Sequence, residues 1–199
     1  MRALFALARL LGLLLAAAAV AGCGDKPASF RATDITGADF GKGFSLTDHT
    51  GAPRTLADYR GKVVVMFFGF THCPDVCPTT LAEMARAMKQ LGPDADRVQV
   101  LLVTIDPKRD TPEVLKPYVT AFDPRFVGLT GDVEAIKRTT REFKMIAQKS
   151  PGPDPANYTM DHSAGTYLFD TEGRLRLFMG YGQGADVLAH DIRVLLGQT

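Results

Sequence analysis

Apolar residues along the chain fall into two kinds of pattern. Val63-Val64-Val65-Met66-Phe67-Phe68 is an unbroken run opening on three β-branched residues, as expected of a strand covered on both faces. Val98 to Ile105 predicts a second strand of this kind. Between them Leu81, Met84, Ala85, Met88 and Leu91 recur at helical spacing, which predicts a helix from about Pro78 to Leu91, stopped by Gly92-Pro93. Thr111-Pro112 opens another helix, with Val114, Leu115, Tyr118, Val119 and Phe122 as its stripe. Phe126 to Leu129 reads as a short strand, Asp132 as the cap of a helix reaching about Phe143, and Lys144 to Gln148 as an edge strand. Thr166–Phe169 and Leu175–Met179 read as strands joined by the turn Asp170-Thr171-Glu172-Gly173, and Leu188, Ile192, Leu195 and Leu196 mark a last helix. This order predicts an α/β domain with a central mixed β-sheet flanked by helices.

The N-terminus carries a different signal. Arg2 and Arg9 precede an apolar run from Leu10 to Ala21, which is too short for a comfortable membrane span and has the length of a secretory signal core. It ends in Val20-Ala21-Gly22-Cys23, which resembles a bacterial lipoprotein processing site. On this reading residues 1–22 are a leader and Cys23 becomes the lipidated first residue. Residues 23–43 form a lipid-anchored tether, and 44–199 form the domain. The expected location is the periplasmic side of a membrane, where disulfides persist.

Composition narrows the options further. The 199 residues are 46% hydrophobic and 23% charged, ordinary for one globular domain. Twenty-three basic residues against 22 acidic ones leave no electrostatic footprint for nucleic acid, so that class of partner is set aside. The three cysteines make an odd count; assigning Cys23 to lipidation leaves a pair, Cys73 and Cys77.

That pair carries the chemistry. Phe70-Thr71-His72-Cys73-Pro74-Asp75-Val76-Cys77-Pro78 lies between the first buried strand and the first helix. Two thiols on one loop can form a structural disulfide, cycle as a redox dithiol, or hold a metal. A bridge closing so short a loop gains little stability. Thioredoxin motifs place two residues between the cysteines, whereas three stand here, which lets the sulfurs stand apart around an ion. Thiolates suit Cu(I). The helix N-terminus should also make Cys77 ionise more readily than a free thiol. Among the histidines, His49 reads as solvated in a turn, His190 as a surface residue, and His72 as pointing away from its neighbour Cys73. His162 follows a loop rich in proline and precedes the Thr166 strand, a segment that faces the cysteine loop in a thioredoxin-like arrangement. The pattern alone does not choose among them.

Cys73-Pro-Asp-Val-Cys77-Pro78, Asp106-Pro-Lys-Arg-Asp110-Thr-Pro112 and Asp161-His162-Ser163, in this order, resemble the SCO/SenC family of copper chaperones for cytochrome c oxidase assembly. The resemblance covers essentially all of the chain from Phe44 onward. It implies a thioredoxin-like fold binding one copper, as Cu(I) or Cu(II), through the Cys73 and Cys77 thiolates and the His162 imidazole. It also implies delivery to the binuclear copper site of cytochrome c oxidase subunit II, with an upstream periplasmic protein as copper donor. Asp106 and Asp110 match the family's loop, where turn-making and helix capping are role enough. The lipoprotein leader would replace the membrane span of many relatives.

Rival readings remain open. A thiol–disulfide oxidoreductase keeping the acceptor cysteines reduced would use Cys73 and Cys77 as its redox pair. Against it stand the three-residue spacer and the lack of a proline directly before the Thr166 strand. A peroxidase of the same superfamily would need a cation beside its cysteine, with Arg109 or Arg141 as candidates. Zinc held by two cysteines, a histidine and water is a lesser option.

Overall fold

A computed structural model describes residues 29–152 and 158–198. Its strands are β1 (Thr33–Asp34), β2 (Ser45–Asp48), β3 (Pro53–Thr55), β4 (Val63–Gly69), β5 (Val98–Thr104), β6 (Val127–Thr130), β7 (Ala147–Ser150), β8 (Thr159–His162), β9 (Gly165–Phe169) and β10 (Leu175–Gly180). The helices are α1 (Val76–Leu91), α2 (Pro112–Thr120), α3 (Val133–Glu142) and α4 (Ala185–Leu195). Eight strands form one sheet in the order β1-β10-β9-β4-β5-β6-β2-β3, and β7 and β8 form a separate ribbon.

The apolar runs explain the centre. Every residue of β4 and of β5 is buried, and the two pair in parallel from Val63↔Val98 to Gly69↔Thr104. Parallel neighbours require a crossover, which α1 supplies; its buried side chains Leu81, Met84, Ala85, Met88 and Leu91 are the predicted stripe. β6 extends the sheet in parallel beyond β5 with α2 packed against it, while β9 runs antiparallel to β4. Phe67, Phe68, Phe70, Phe126, Phe143 and Phe169 fill the core. This is the thioredoxin-like mixed α/β sheet that the resemblance implied.

Three local expectations change. The described part of the segment read as a tether does not stand off the domain. β1 pairs with β10 at Thr33↔Phe178, and the Arg31 and Ala32 amides donate to the buried Asp191 carboxylate at 2.9 and 2.8 Å. The edge strand expected over Lys144–Gln148 lies instead at β7. Lys144 takes the left-handed conformation, φ 51°, and breaks the chain direction first. The segment carrying His162 is itself a strand, β8. The lipoprotein signature at Cys23 lies outside the described residues, and among these no helix is long and apolar enough to cross a membrane.

Candidate metal centre

β4 delivers the cysteine loop. After Gly69 the chain turns, with the Cys73 amide donating to the Phe70 carbonyl at 3.3 Å, and α1 begins at Val76. Cys77 therefore stands in the first helical turn with its side chain fully buried. Gly69 makes that possible. A Cβ at position 69 would lie 2.9 Å from Cys77 Sγ and 2.8 Å from the Phe67 ring, closer than real contacts allow. The Cys73 sulfur accepts from the Cys77 backbone N–H at 3.4 Å, at the positive end of the helix. Both cysteines are free thiols.

The expectation that Cys77 ionises readily is corrected. Burial pushes its thiol far up, and the opposing hydrogen bond with the Phe70 backbone is the smaller influence. A helix N-terminus favours negative charge, but an apolar wall around the sulfur penalises it more. A cation bound at this sulfur would have to displace its proton.

His162 reaches the same place from the ribbon. Its Nε2 stands 3.8 Å from Cys77 Sγ, while its Nδ1–H donates to the Ser163 carbonyl at 3.0 Å. That second bond fixes the tautomer of the neutral ring, so the lone pair on Nε2 faces the sulfur. The ring meets Phe70 and Phe67 edge-on, at centroid separations of 6.0 and 6.4 Å. A metal bonded to sulfur at ~2.3 Å and to imidazole nitrogen at ~2.0 Å, with an angle of ~120°, would part those two atoms by about 3.7 Å. Cys77 and His162 stand at that separation. Among the described residues no three His, Cys, Asp or Glu side chains are already gathered as a closed cage. Cys73 stands on the adjoining loop, its sulfur 3.4 Å from the Cys77 backbone nitrogen.

The aspartates read from sequence as turn and cap residues hold both halves of this centre. Asp110 is fully buried and accepts from the Thr71 amide at 3.1 Å, the Thr71 hydroxyl at 2.5 Å and the Thr104 hydroxyl at 2.6 Å. It thus pins the start of the cysteine loop to the end of β5. Asp106 pairs with Arg109 and accepts from the Tyr158 hydroxyl at 2.8 Å. Arg109 in turn donates to the Tyr158 carbonyl at 2.9 Å and lies 3.7 Å over the Tyr158 ring. Tyr158 directly precedes β8, so this clamp fixes the approach of His162. Two aspartates bracketing an arginine at the carboxyl end of a buried strand were the available signal, since loops at that end share an edge with the cysteine loop.

The remaining histidines stand apart. His72 is exposed, with Nδ1 3.1 Å from the Thr71 hydroxyl. His190 bonds to Asp191 at 2.7 Å. His49 is half-buried rather than solvated: its Nδ1 accepts from the Gly128 amide at 3.0 Å, and burial lowers its pKa.

The family model described as SCO1/SenC matches residues 32–197. The mouse (Mus musculus) mitochondrial SCO2 homolog is 38% identical over 152 residues, covering 75% of this chain and 60% of that protein. The chain therefore spans somewhat more than half the length of such curated relatives. Bradyrhizobium japonicum ScoI, solved with copper bound, is 40% identical with a TM-score of 0.72, covering 77% of this chain and 98% of that one. Sco1 from Thermus thermophilus, solved without metal, is 39% identical with a TM-score of 0.76, over 86% of this chain and 99% of that one. With the family model spanning nearly the whole described domain, the chain belongs to the SCO1/SenC family.

Proposed function

We propose that this protein is a copper metallochaperone that delivers copper to the binuclear site of cytochrome c oxidase subunit II. Cys73 and Cys77 would supply the thiolates and His162 the imidazole. The observation that carries this reading is Nε2 of His162 facing Cys77 Sγ at 3.8 Å with its tautomer set by Ser163. Copper-bound relatives from Bradyrhizobium, Arabidopsis and yeast support it.

Two thiolates hold Cu(I), and the nitrogen donor extends the site to Cu(II). Loading removes a proton from each thiol. His162 is the movable donor. When the ribbon withdraws it, a two-thiolate Cu(I) centre is open to a ligand from the acceptor, and copper passes by ligand exchange without becoming free. An upstream periplasmic protein supplies the copper. Lipidation at Cys23 holds the domain on the periplasmic face of a membrane.

One equivalent of Cu(I) or Cu(II), added to the reduced protein with metal counted after desalting, tests the assignment. His162→Ala is expected to weaken Cu(II) at least 10-fold and change its sulfur-to-copper absorption while retaining Cu(I); Cys73→Ser and Cys77→Ser lose both. A His162→Ala protein with the wild-type Cu(II) spectrum and affinity would remove the histidine from the site. Reduction of acceptor cysteines is the second reading, favoured by two free thiols with the Cys73 sulfur at a helix N-terminus. Insulin reduction measured in parallel separates it, because a carrier shows none above the dithiothreitol background.

A further inference from the structure

The ribbon that carries His162 has a second neighbour on its inner face. In the register of β7 and β8, Ala147 stands opposite His162 and Lys149 opposite Met160, and residues so paired share one side of a ribbon. His162 turns its end of that side to Cys77. The others, Ala147, Lys149 and Met160, line a trough of about 260 Å³ that they share with α3 and the chain following β5.

Apolar side chains of Ile105, Ile136 and Met160 line this trough. Val133, also in its wall, is 39% exposed, one of four large hydrophobic side chains left exposed among the described residues. The charges are one-sided. Lys108, Lys137 and Lys149 line it and all three are exposed, against a single carboxylate, Asp106, which Arg109 and Tyr158 already occupy. Lys137 rests on Glu134 at 2.9 Å, but that pair is open to water and holds weakly. The Lys149 ammonium lies 3.8 Å over the Tyr158 ring.

We propose that this trough is the docking site for an acidic segment of a partner protein. One apolar side chain of the segment sits against Val133, Ile136 and Met160, and its carboxylates pair with Lys108, Lys137 and Lys149. An apolar centre with a charged rim is how protein interfaces are built, and the rim sets the sign of the partner. Three lysines fall short of the roughly four to eight of a polybasic lipid-binding patch, which favours a peptide over a membrane. The docking stands on the trough alone, while its consequence rests on the copper reading above and deepens it. A segment packed on Met160 touches β8 two residues before His162, on the same face. Filling the trough adds contacts to a ribbon that has few, so occupancy steadies His162 at Cys77.

The probe is a blocked peptide of alternating glutamate and leucine, titrated into the full unloaded chain at low salt and followed by amide chemical shifts. Saturable shifts centred on 133–140, 147–149 and 160 are expected, with amide exchange over 159–162 slowed about 3-fold. Lys108→Glu combined with Lys137→Glu is expected to weaken the peptide about 10-fold, and Val133→Ser about 3-fold, at an unchanged thermal midpoint. Absence of saturable shifts overturns the proposal. So does a glutamate–serine peptide of equal charge that binds as well, or a charge-reversed variant with wild-type affinity. Binding to phosphatidylserine vesicles without peptide binding gives the face to a membrane instead, and self-association lost in the double variant gives it to a second copy. Peptide binding by a protein that takes up no copper upholds the docking site and removes the copper reading, so the two failures are distinguishable.

Discussion

The cysteine loop and the histidine ribbon meet at one point but are built by opposite means. The cysteines hang from β4, a strand paired on both edges and buried at all seven positions, and from the first turn of a sixteen-residue helix. His162 hangs from a two-stranded ribbon outside the sheet whose eight residues are all exposed or half-buried. Isolated two-stranded ribbons are marginal in water. This one leans on the Asp106–Arg109–Tyr158 clamp and on two bonds between Ile146 and Ser163, at 3.0 and 3.2 Å. The carrier function proposed above calls for donors that hold and a donor that yields, and the two halves are built with that difference.

The contrast is broken most severely at Asp110. Asp110→Ala leaves three donors without an acceptor in a buried site, and is expected to cost about 3 kcal/mol in urea unfolding. It should also loosen the cysteine loop, so that the stiff half loses its advantage. A cost below ~1 kcal/mol would mean that Thr71 finds another anchor.

Gly69→Ala acts on the same half with a smaller effect. The added methyl must displace Cys77 Sγ or the Phe67 ring, so a loss of ~1–3 kcal/mol is expected, together with weaker copper binding. Unchanged stability and copper uptake would show that the strand end can shift by several tenths of an ångström.

Tyr158→Phe sharpens the comparison from the other side. It removes one hydrogen bond to Asp106 and keeps the ring under Arg109, at about 1 kcal/mol. The loss is local: amide exchange should quicken about 5-fold over 147–150 and 159–162, while α1 is unmoved. Equal acceleration in α1 would mean that ribbon and sheet open together.

What the sequence revealed follows the same division. Val63–Phe68 and Val98–Ile105 are legible because a strand buried on both faces has no polar alternation to confuse it, and the α1 stripe is legible because its apolar spacing is regular. Ser45–Asp48, Pro53–Thr55 and Thr159–His162 are short and mostly polar, held by their neighbours more than by their own pattern, and their sequences predict no strand. The three candidate ligands were visible as residue types in motif order, but what surrounds Cys77 was not. A rule about helix ends says nothing of the burial of the Cys77 sulfur, which shares the space beside Gly69 with Phe67 and Leu102. Asp106 and Asp110 were seen as turn formers because their partners, Thr71 and Tyr158, lie 39 and 52 residues away.

The Asp191 clasp has a mechanical consequence. Its carboxylate, itself bonded to His190, grips two successive amides of the segment entering β1, and β1 is stitched to β10 at the sheet edge. Tension applied through the residues before this segment is therefore taken up at the edge strand and α4. Along the sheet, β10 and β9 stand between that load and β4, but α4 packs directly against α1, the helix that carries Cys77. A pull on that segment is therefore felt at Cys77 through the two packed helices as well as through the sheet.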